Sequence, residues 1–120
     1  MGETSVRLRK SFAVLLGTGM LVLAVPAVAD AATGGFTYRF VDSYGVIQES
    51  TLDNPPSREC ITLPEVADPD SSMPADTPRN ATNATAVVFS EPDCQGDYFS
   101  LRPLTGHGSE RLKLRSVLFS

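Results

Sequence analysis

The amino-acid sequence predicts an all-β fold, a small antiparallel sandwich or barrel-like sheet with one long acidic, proline-rich loop. Three observations support this prediction. Apolar and polar side chains alternate over short segments, glycine and proline recur between them, and no segment carries the 3.6-residue period of an amphipathic helix. Six or seven short strands with frequent turns are typical of sandwiches and barrels.

The alternation is clearest at the first strand, where Phe36, Tyr38 and Phe40 are separated by less apolar residues. Turn residues at 42–45 join this strand to the next, which predicts a hairpin. The remaining strands are shorter and are bounded by proline, glycine or acidic residues. The predicted strands cover residues 36–41, 46–52, 59–63, 85–89, 97–102 and, within 111–119, one or two more.

Residues 64–84 have the composition of a surface loop. Four prolines occur between Pro64 and Pro78, mixed with aspartates and serines, and no apolar period runs through them. Asn80 and Asn83 each begin a glycosylation sequon, which would be a surface acceptor in a eukaryote. The chain's composition and leader look bacterial, so we interpret both sequons as polar loop.

The first 29 residues have the pattern of a secretory signal peptide. Three basic residues, Arg7, Arg9 and Lys10, precede an apolar run over 12–25, and small residues at 27–29 fit a cleavage site before Asp30. A second site would cut after residue 31. The alternative is a membrane anchor, which the glycines and Pro26 disfavour. We therefore expect a secreted, extracellular domain over 30–120 with no membrane attachment.

Cleavage before Asp30 leaves 91 residues, which is enough for one domain. The removed segment carries three bases and one acid, so the net charge changes from −4 to −6. Such an acidic chain is a poor nucleic-acid binder, because phosphate neutralisation dominates that affinity. Most of the acids lie within residues 42–97, which we call the acidic half, and four of the bases lie after residue 101, in what we call the basic tail. We expect a monomer in which the basic tail faces the acidic half within the fold.

Cys60 and Cys94 are the two cysteines of the chain. In an exported protein such a pair most economically forms one disulfide, which would stabilise a domain of marginal size. A catalytic or metal-binding thiol would need partners. However, the chain has one histidine and no CxxC spacing.

Residues 89–99 resemble the folded-hairpin signature of βγ-crystallin Greek-key modules. An aromatic, six residues, a glycine and further aromatics follow one another, with Phe89, Gly96 and Tyr98 in these places. In that family a serine further along closes the motif; Ser116 matches best and Ser109 is the alternative. The resemblance covers about the last third of the chain. It implies a crystallin-like Greek-key domain in which the glycine adopts a positive φ.

Tyr38 and Gly45 stand at the same spacing as Phe89 and Gly96, although a plain hairpin explains that stretch equally well.

The resemblance also implies calcium, but the sequence departs from the calcium-binding pattern. Calcium-binding modules carry a pair of Asp or Asn residues a few positions before the closing serine. This chain has Leu112 and Lys113 there, with Arg115 adjacent. Because a cation would be repelled and short of oxygen ligands, we expect no metal and no other cofactor.

Candidate catalytic residues are few. His107 lies between glycines, two residues before Ser109, and a flexible turn is a poor frame for a nucleophile and its base. No nucleophile elbow, zinc signature or phosphate loop is present in the sequence. We therefore expect no enzymatic activity.

Three function classes remain. The first is a secreted binding or structural module that acts on an extracellular protein partner. The second is a peptidase inhibitor, because the chain is similar to small secreted bacterial inhibitors with a crystallin-like fold, although their usual second disulfide is missing. The inhibitory loop would be residues 70–79, with Pro74 and Pro78 ordering the backbone and Met73 or Arg79 entering the protease. The third is a toxin-like secreted effector.

Overall fold

Eight β-strands form two four-stranded antiparallel sheets in the computed structural model, which describes residues 30–120. The predicted all-β fold is thereby confirmed. The predicted signal peptide, residues 1–29, lies outside the described residues. The strands are β1 (Gly35–Val41), β2 (Ile47–Asp53), β3 (Cys60–Thr62), β4 (Asp76–Asn80), β5 (Ala86–Glu91), β6 (Gln95–Leu101), β7 (Gly106–His107) and β8 (Ser116–Phe119). Short 3-10 turns cover Pro64–Val66 and Pro92–Cys94.

The strand order divides the domain into two equivalent halves that exchange one strand each. The first sheet has the order β2-β1-β4-β7 and the second has the order β3-β8-β5-β6. Thus the third strand of each half joins the sheet that the other half builds. Just before the last strand of each half, Ala75 and Leu114 exchange two backbone hydrogen bonds of 2.9 Å. The two halves are therefore linked at the edges and in the middle.

The core lies between the two sheets and is built by the alternation that the sequence displays. On β1, Phe36 and Tyr38 point inward and are almost fully buried. The ring of Phe36 meets the ring of Phe119 on β8 edge to face, with centroids 5.4 Å apart. The Tyr38 hydroxyl donates a 2.7 Å hydrogen bond to the Glu65 carboxylate. Burial is the main cause that raises the pKa of Tyr38 above its ordinary value.

The prediction of one long surface loop over residues 64–84 is wrong for the second half of that range, because β4 lies within it. Ala75, Pro78 and Asn80 are buried there, so this stretch belongs to the first sheet. Pro78 falls at a register shift, where β1 and β4 pair as Thr37 with Arg79 and then as Arg39 with Asp76. At a bulge the missing N–H of proline interrupts no ladder. This exception is why the proline count misled the prediction.

The Asn80 side chain ties this region to the second half of the domain. Its amide nitrogen donates to the carbonyls of Ala84, Leu101 and Arg102, and its oxygen accepts from the Thr82 N–H and hydroxyl. Fully buried and fully bonded, Asn80 is not a surface acceptor. Asn83 is exposed, and its oxygen accepts from the Thr33 N–H.

Of the one or two strands predicted within 111–119, the structure contains one, β8, which begins at Ser116. Residues 110–115 form a turn and the single pairing of Leu114 with Ala75. The two-residue strand β7 was not predicted. It pairs Gly106 and His107 with Asn80 and Arg79 of β4, and it is too short to show a period.

The predicted disulfide is confirmed, since Cys60 at the start of β3 is bonded to Cys94 in the turn between β5 and β6. Its Cα atoms are 6.0 Å apart. The two cysteines lie 34 positions apart in the chain. The bond therefore joins the β3 edge of the second sheet to the β5–β6 connection.

Replacing both cysteines by serine (Cys60→Ser with Cys94→Ser) should lower the free energy of unfolding by about 3 kcal/mol, because the unfolded chain regains the freedom of the closed loop. Urea denaturation followed by fluorescence measures the change. Reduced and alkylated wild-type protein, which also lacks the bond, serves as the control and should lose a similar amount. Unchanged denaturation midpoints in both samples would contradict the prediction.

Candidate functional site

The residues of the crystallin-like motif lie together at the β5–β6 hairpin. Gly96 has a φ of +85°, and a Cβ atom at this position would collide with the Ser90 hydroxyl. The rings of Phe89 and Tyr98 are 6.3 Å apart on paired positions of β5 and β6. Only glycine fits the close approach at residue 96 without strain.

Ser116 on β8 lies against the turn that joins β5 and β6. Its hydroxyl accepts a 2.8 Å hydrogen bond from the Cys94 N–H and donates a 2.6 Å bond to the Glu91 carbonyl. Asp93 and Cys94 both have positive φ values in this turn. The fully buried Ser116 hydroxyl therefore satisfies backbone groups that the turn leaves without strand partners. Ser109, the alternative closing serine, lies elsewhere and accepts from the Arg111 N–H.

The β1–β2 hairpin exposes three large apolar side chains at its tip. Tyr44 is 90% exposed, Ile47 is 61% exposed and Val46 is 52% exposed. Gly45 adopts a φ of +79° between them, which permits the tight turn. We call residues 42–47 the hairpin tip. Apolar groups that cluster on a surface in this way are typical of protein-binding sites.

Asp42 fixes the shape of the hairpin tip. Its carboxylate accepts hydrogen bonds from the N–H groups of Tyr44 and Val46, each 2.9 Å, and from the Gln48 amide. The bond from the Val46 N–H is the main cause that lowers the pKa of Asp42. The sequence predicted a turn here but not this role, although aspartate in a turn commonly accepts from the backbone N–H two residues further on. The apolar side chains are thus carried on an ordered backbone.

A second ordered segment lies next to the hairpin tip. Residues 41–43 and part of residues 64–72 line one depression of about 310 Å³. Asp68 orders the loop by accepting from the Asp70 N–H and the Ser71 hydroxyl. The Asp68 carboxylate thus acts in the loop's own structure.

Arg115 anchors this loop from beneath. Its side chain is buried, with the residue 7% exposed, and the guanidinium donates to the Val66 carbonyl, the Ser72 hydroxyl and the Ser72 carbonyl at 2.7–3.0 Å. The sequence interpretation placed Arg115 only as a charge that repels a cation. Its role as an anchor could not be foreseen, because its partners are mostly backbone oxygens more than 40 residues away in the chain.

The four residues of the candidate inhibitory loop are not brought together. Met73 is 63% exposed and directly follows the anchored Ser72, and Pro74 is half-buried beside it. Pro78 is buried in β4. Arg79 is exposed, but its backbone pairs with β1 on one side and with β7 on the other. The exposed loop therefore ends at Pro74, whereas Arg79 lies on a central strand of the first sheet.

The histidine and its neighbouring serine have separate partners. The exposed His107 ring nitrogen lies 3.2 Å from the Thr105 carbonyl, while the Ser109 hydroxyl accepts from the Arg111 N–H. Within residues 30–120, no three His, Cys, Asp or Glu side chains are grouped to hold a metal ion. No helix in the same region is long and apolar enough to cross a membrane.

Part of the basic tail faces the acidic half of the domain, and Asp76 is the point of contact. Lys113 and Arg39 lie 3.5 and 3.2 Å from its two carboxylate oxygens. Burial alone would raise the pKa of Asp76, but the Thr77 hydroxyl and the two cations outweigh it and lower the pKa. Lys113, which stands at a position where calcium-binding modules carry a ligand, is thus engaged in an ion pair.

Comparisons of this chain with protein-family models, with curated proteins and with solved structures find no match.

Replacing Arg115 by methionine should lower the free energy of unfolding by about 2 kcal/mol and loosen residues 67–74, since charge-assisted hydrogen bonds are lost and carbonyls are left unpaired. Thermal unfolding and amide hydrogen exchange of the loop measure the two effects.

Arg79→Met is the matched control, because it removes the same charge from an exposed side chain and should change stability by less than about 0.5 kcal/mol. Equal effects of the two substitutions would show that Arg115 does not anchor the loop.

Proposed function

We propose that this protein is a secreted, non-catalytic binding module that engages an extracellular protein partner through the hairpin tip. The observation that carries the proposal is the exposure of Tyr44, Val46 and Ile47 on a backbone that Asp42 holds in place. Ordering an apolar contact surface before binding reduces the entropy lost on association. Tyrosine at the centre of such a surface is typical of binding hot spots.

The extracellular location is part of this proposal. The Cys60–Cys94 disulfide supports it, because disulfides persist in oxidising compartments. The separate local partners of His107 and Ser109 support a module without catalysis, since a nucleophile and its base face each other.

We also propose that the domain is related to βγ-crystallin Greek-key modules. Two features support this relationship. The strand order gives two equivalent four-stranded halves that exchange their third strands. The hairpin in the second half combines the positive φ of Gly96 with the contact of Ser116 to the folded turn.

Substituting serine for Tyr44 should reduce partner capture at least about tenfold, because truncating an exposed hot-spot aromatic removes most of its binding energy. Immobilised domain, residues 30–120, is exposed to culture medium, and captured protein is quantified by mass spectrometry. Tyr98→Ser is the matched control: it removes the same side chain, 72% exposed, from the other sheet. Equal capture by the Tyr44 variant and the wild type would contradict the use of the hairpin tip.

A second candidate function, peptidase inhibition, is favoured by the anchored loop. Inhibitory loops present one exposed side chain on a backbone that resists distortion, and Met73 follows a residue that Arg115 holds at both its carbonyl and its hydroxyl. On the other side of Met73 and Pro74, Ala75 is bonded to Leu114. Because these hydrogen bonds hold the chain on both sides of Met73 and Pro74, we narrow the candidate inhibitory contact to residues 72–74.

Met73→Asp should weaken inhibition of a susceptible protease at least about 100-fold, because a charge would replace the apolar side chain that enters the specificity pocket. Residual activity is measured over a protease panel that includes a metalloprotease. Arg79→Asp is the control and should leave inhibition within about twofold. Rapid cleavage of residues 67–74 without inhibition of any protease would exclude this function.

A further inference from the structure

The edge strand β6 is unusually open for a strand of its length. It pairs only with β5, and its residues from Gln95 to Ser100 are exposed. Among residues 30–120, no backbone hydrogen bond outside the β5 ladder involves Tyr98, Phe99 or Ser100. Proteins commonly protect such an edge with charges or proline. Strand β6 carries one charge, at Asp97, and the two residues that follow it are aromatic.

Phe99 lies on the inner face of β6 but is not covered by the opposite sheet. Its strand neighbour Leu101 and its pairing partner Val88 are both buried, while Phe99 itself is 53% exposed. Three depressions meet at its ring, between β6 and the connection that joins β7 to β8. The most apolar of them, of about 350 Å³, is walled by Phe99, His107 and Leu112. We call this region the Phe99 groove.

The charge of the groove is opposite to that of the domain. Arg102, Arg111 and Lys113 line it, and Asp97 is its only acidic residue. Lys113 is paired with Asp76, whereas Arg102 and Arg111 have no carboxylate within 4.0 Å among residues 30–120. On a domain of net charge −6, two unpaired arginines beside an apolar pocket favour an acidic ligand.

We propose that β6 binds an acidic, extended peptide segment of a partner protein as a ninth strand. The open backbone edge supplies hydrogen bonds that are independent of sequence, and the Phe99 groove accepts one apolar side chain of the segment. Arg102 and Arg111 select acidic neighbours of that side chain. This site is on a different sheet from the hairpin tip, so it does not depend on the function proposed above.

The probe is a fluorescent eight-residue peptide that alternates glutamate and valine around one phenylalanine, titrated with residues 30–120 and followed by anisotropy. Comparison peptides replace glutamate by lysine or carry N-methyl groups on alternate amides, in two versions that block one strand edge each. The glutamate peptide should bind at least about tenfold more tightly than the lysine peptide. One of the two N-methylated peptides should lose binding, because only one edge faces β6.

Matched variants test the protein side. Arg111→Ala and Phe99→Ser should each weaken binding about tenfold or more. Arg58→Ala removes the same charge next to the opposite edge of the same sheet and should leave binding within about twofold. Thermal unfolding of each variant checks that the domain remains folded.

Several results would overturn the proposal. They are the absence of peptide binding, equal binding of the lysine peptide, and unaltered binding of both N-methylated peptides. Binding of a sulfated oligosaccharide without binding of the peptide would make the groove a polyanion site. Dimerisation of the domain that Arg111→Ala abolishes, again without peptide binding, would make the occupant a second copy of this chain.

Discussion

The architecture of the second sheet depends on the turn at Pro92–Cys94. Two consecutive residues without the freedom of glycine, Asp93 and Cys94, hold left-handed backbone conformations there. Each costs about 1–3 kcal/mol unless the surroundings compensate. The compensation comes from β3 and β8: Thr62 accepts from the Asp93 N–H, Ser116 accepts from the Cys94 N–H, and the disulfide holds the Cys94 side chain. A turn that is unfavourable alone thus gathers all four strands of its sheet.

The same domain carries two very different surfaces. The hairpin tip combines apolar side chains with an ionised Asp42 and lies next to a loop that contains Asp68 and Asp70. The Phe99 groove combines apolar side chains with Arg102 and Arg111, which have no carboxylate within 4.0 Å among residues 30–120. The charges of the chain are therefore sorted within the fold and do not simply neutralise one another. Among residues 30–120, Lys113 and Asp76 form the one ion pair between the basic tail and the acidic half.

The sequence was sufficient to predict the strands whose side chains alternate, and the disulfide, which follows from two cysteines and a predicted export signal. It was insufficient where structure depends on a partner distant in the chain. The strand β4 contains Pro78 and shows no apolar period, so only its pairing with β1 and β7 reveals it. The buried Asn80 looks in sequence like any polar loop residue, yet five hydrogen bonds make it part of the core.

For the hairpin tip, the sequence indicated the turn at residues 42–45. It did not indicate that the apolar side chains of this segment are exposed. Val46 and Ile47 begin a segment that the sequence predicts as a strand, and only the structure shows that they are exposed. Phe99 misleads in a different way. Its alternation with Leu101 is that of a core residue, yet Phe99 is 53% exposed. Burial is a property of the whole fold, so a local pattern cannot give it.

The exchange of third strands between the halves also governs the order in which the chain can assemble. Neither sheet can be completed by one half, because the first needs β7 from the second half and the second needs β3 from the first. Synthesis of residues up to 105 thus yields a polypeptide with apolar strands but no closed core, and the final hydrogen bonds wait for the last fifteen residues. Pairings so far apart in the chain form slowly. Under the extracellular location proposed above, this delay would keep the polypeptide unfolded until its translocation is complete.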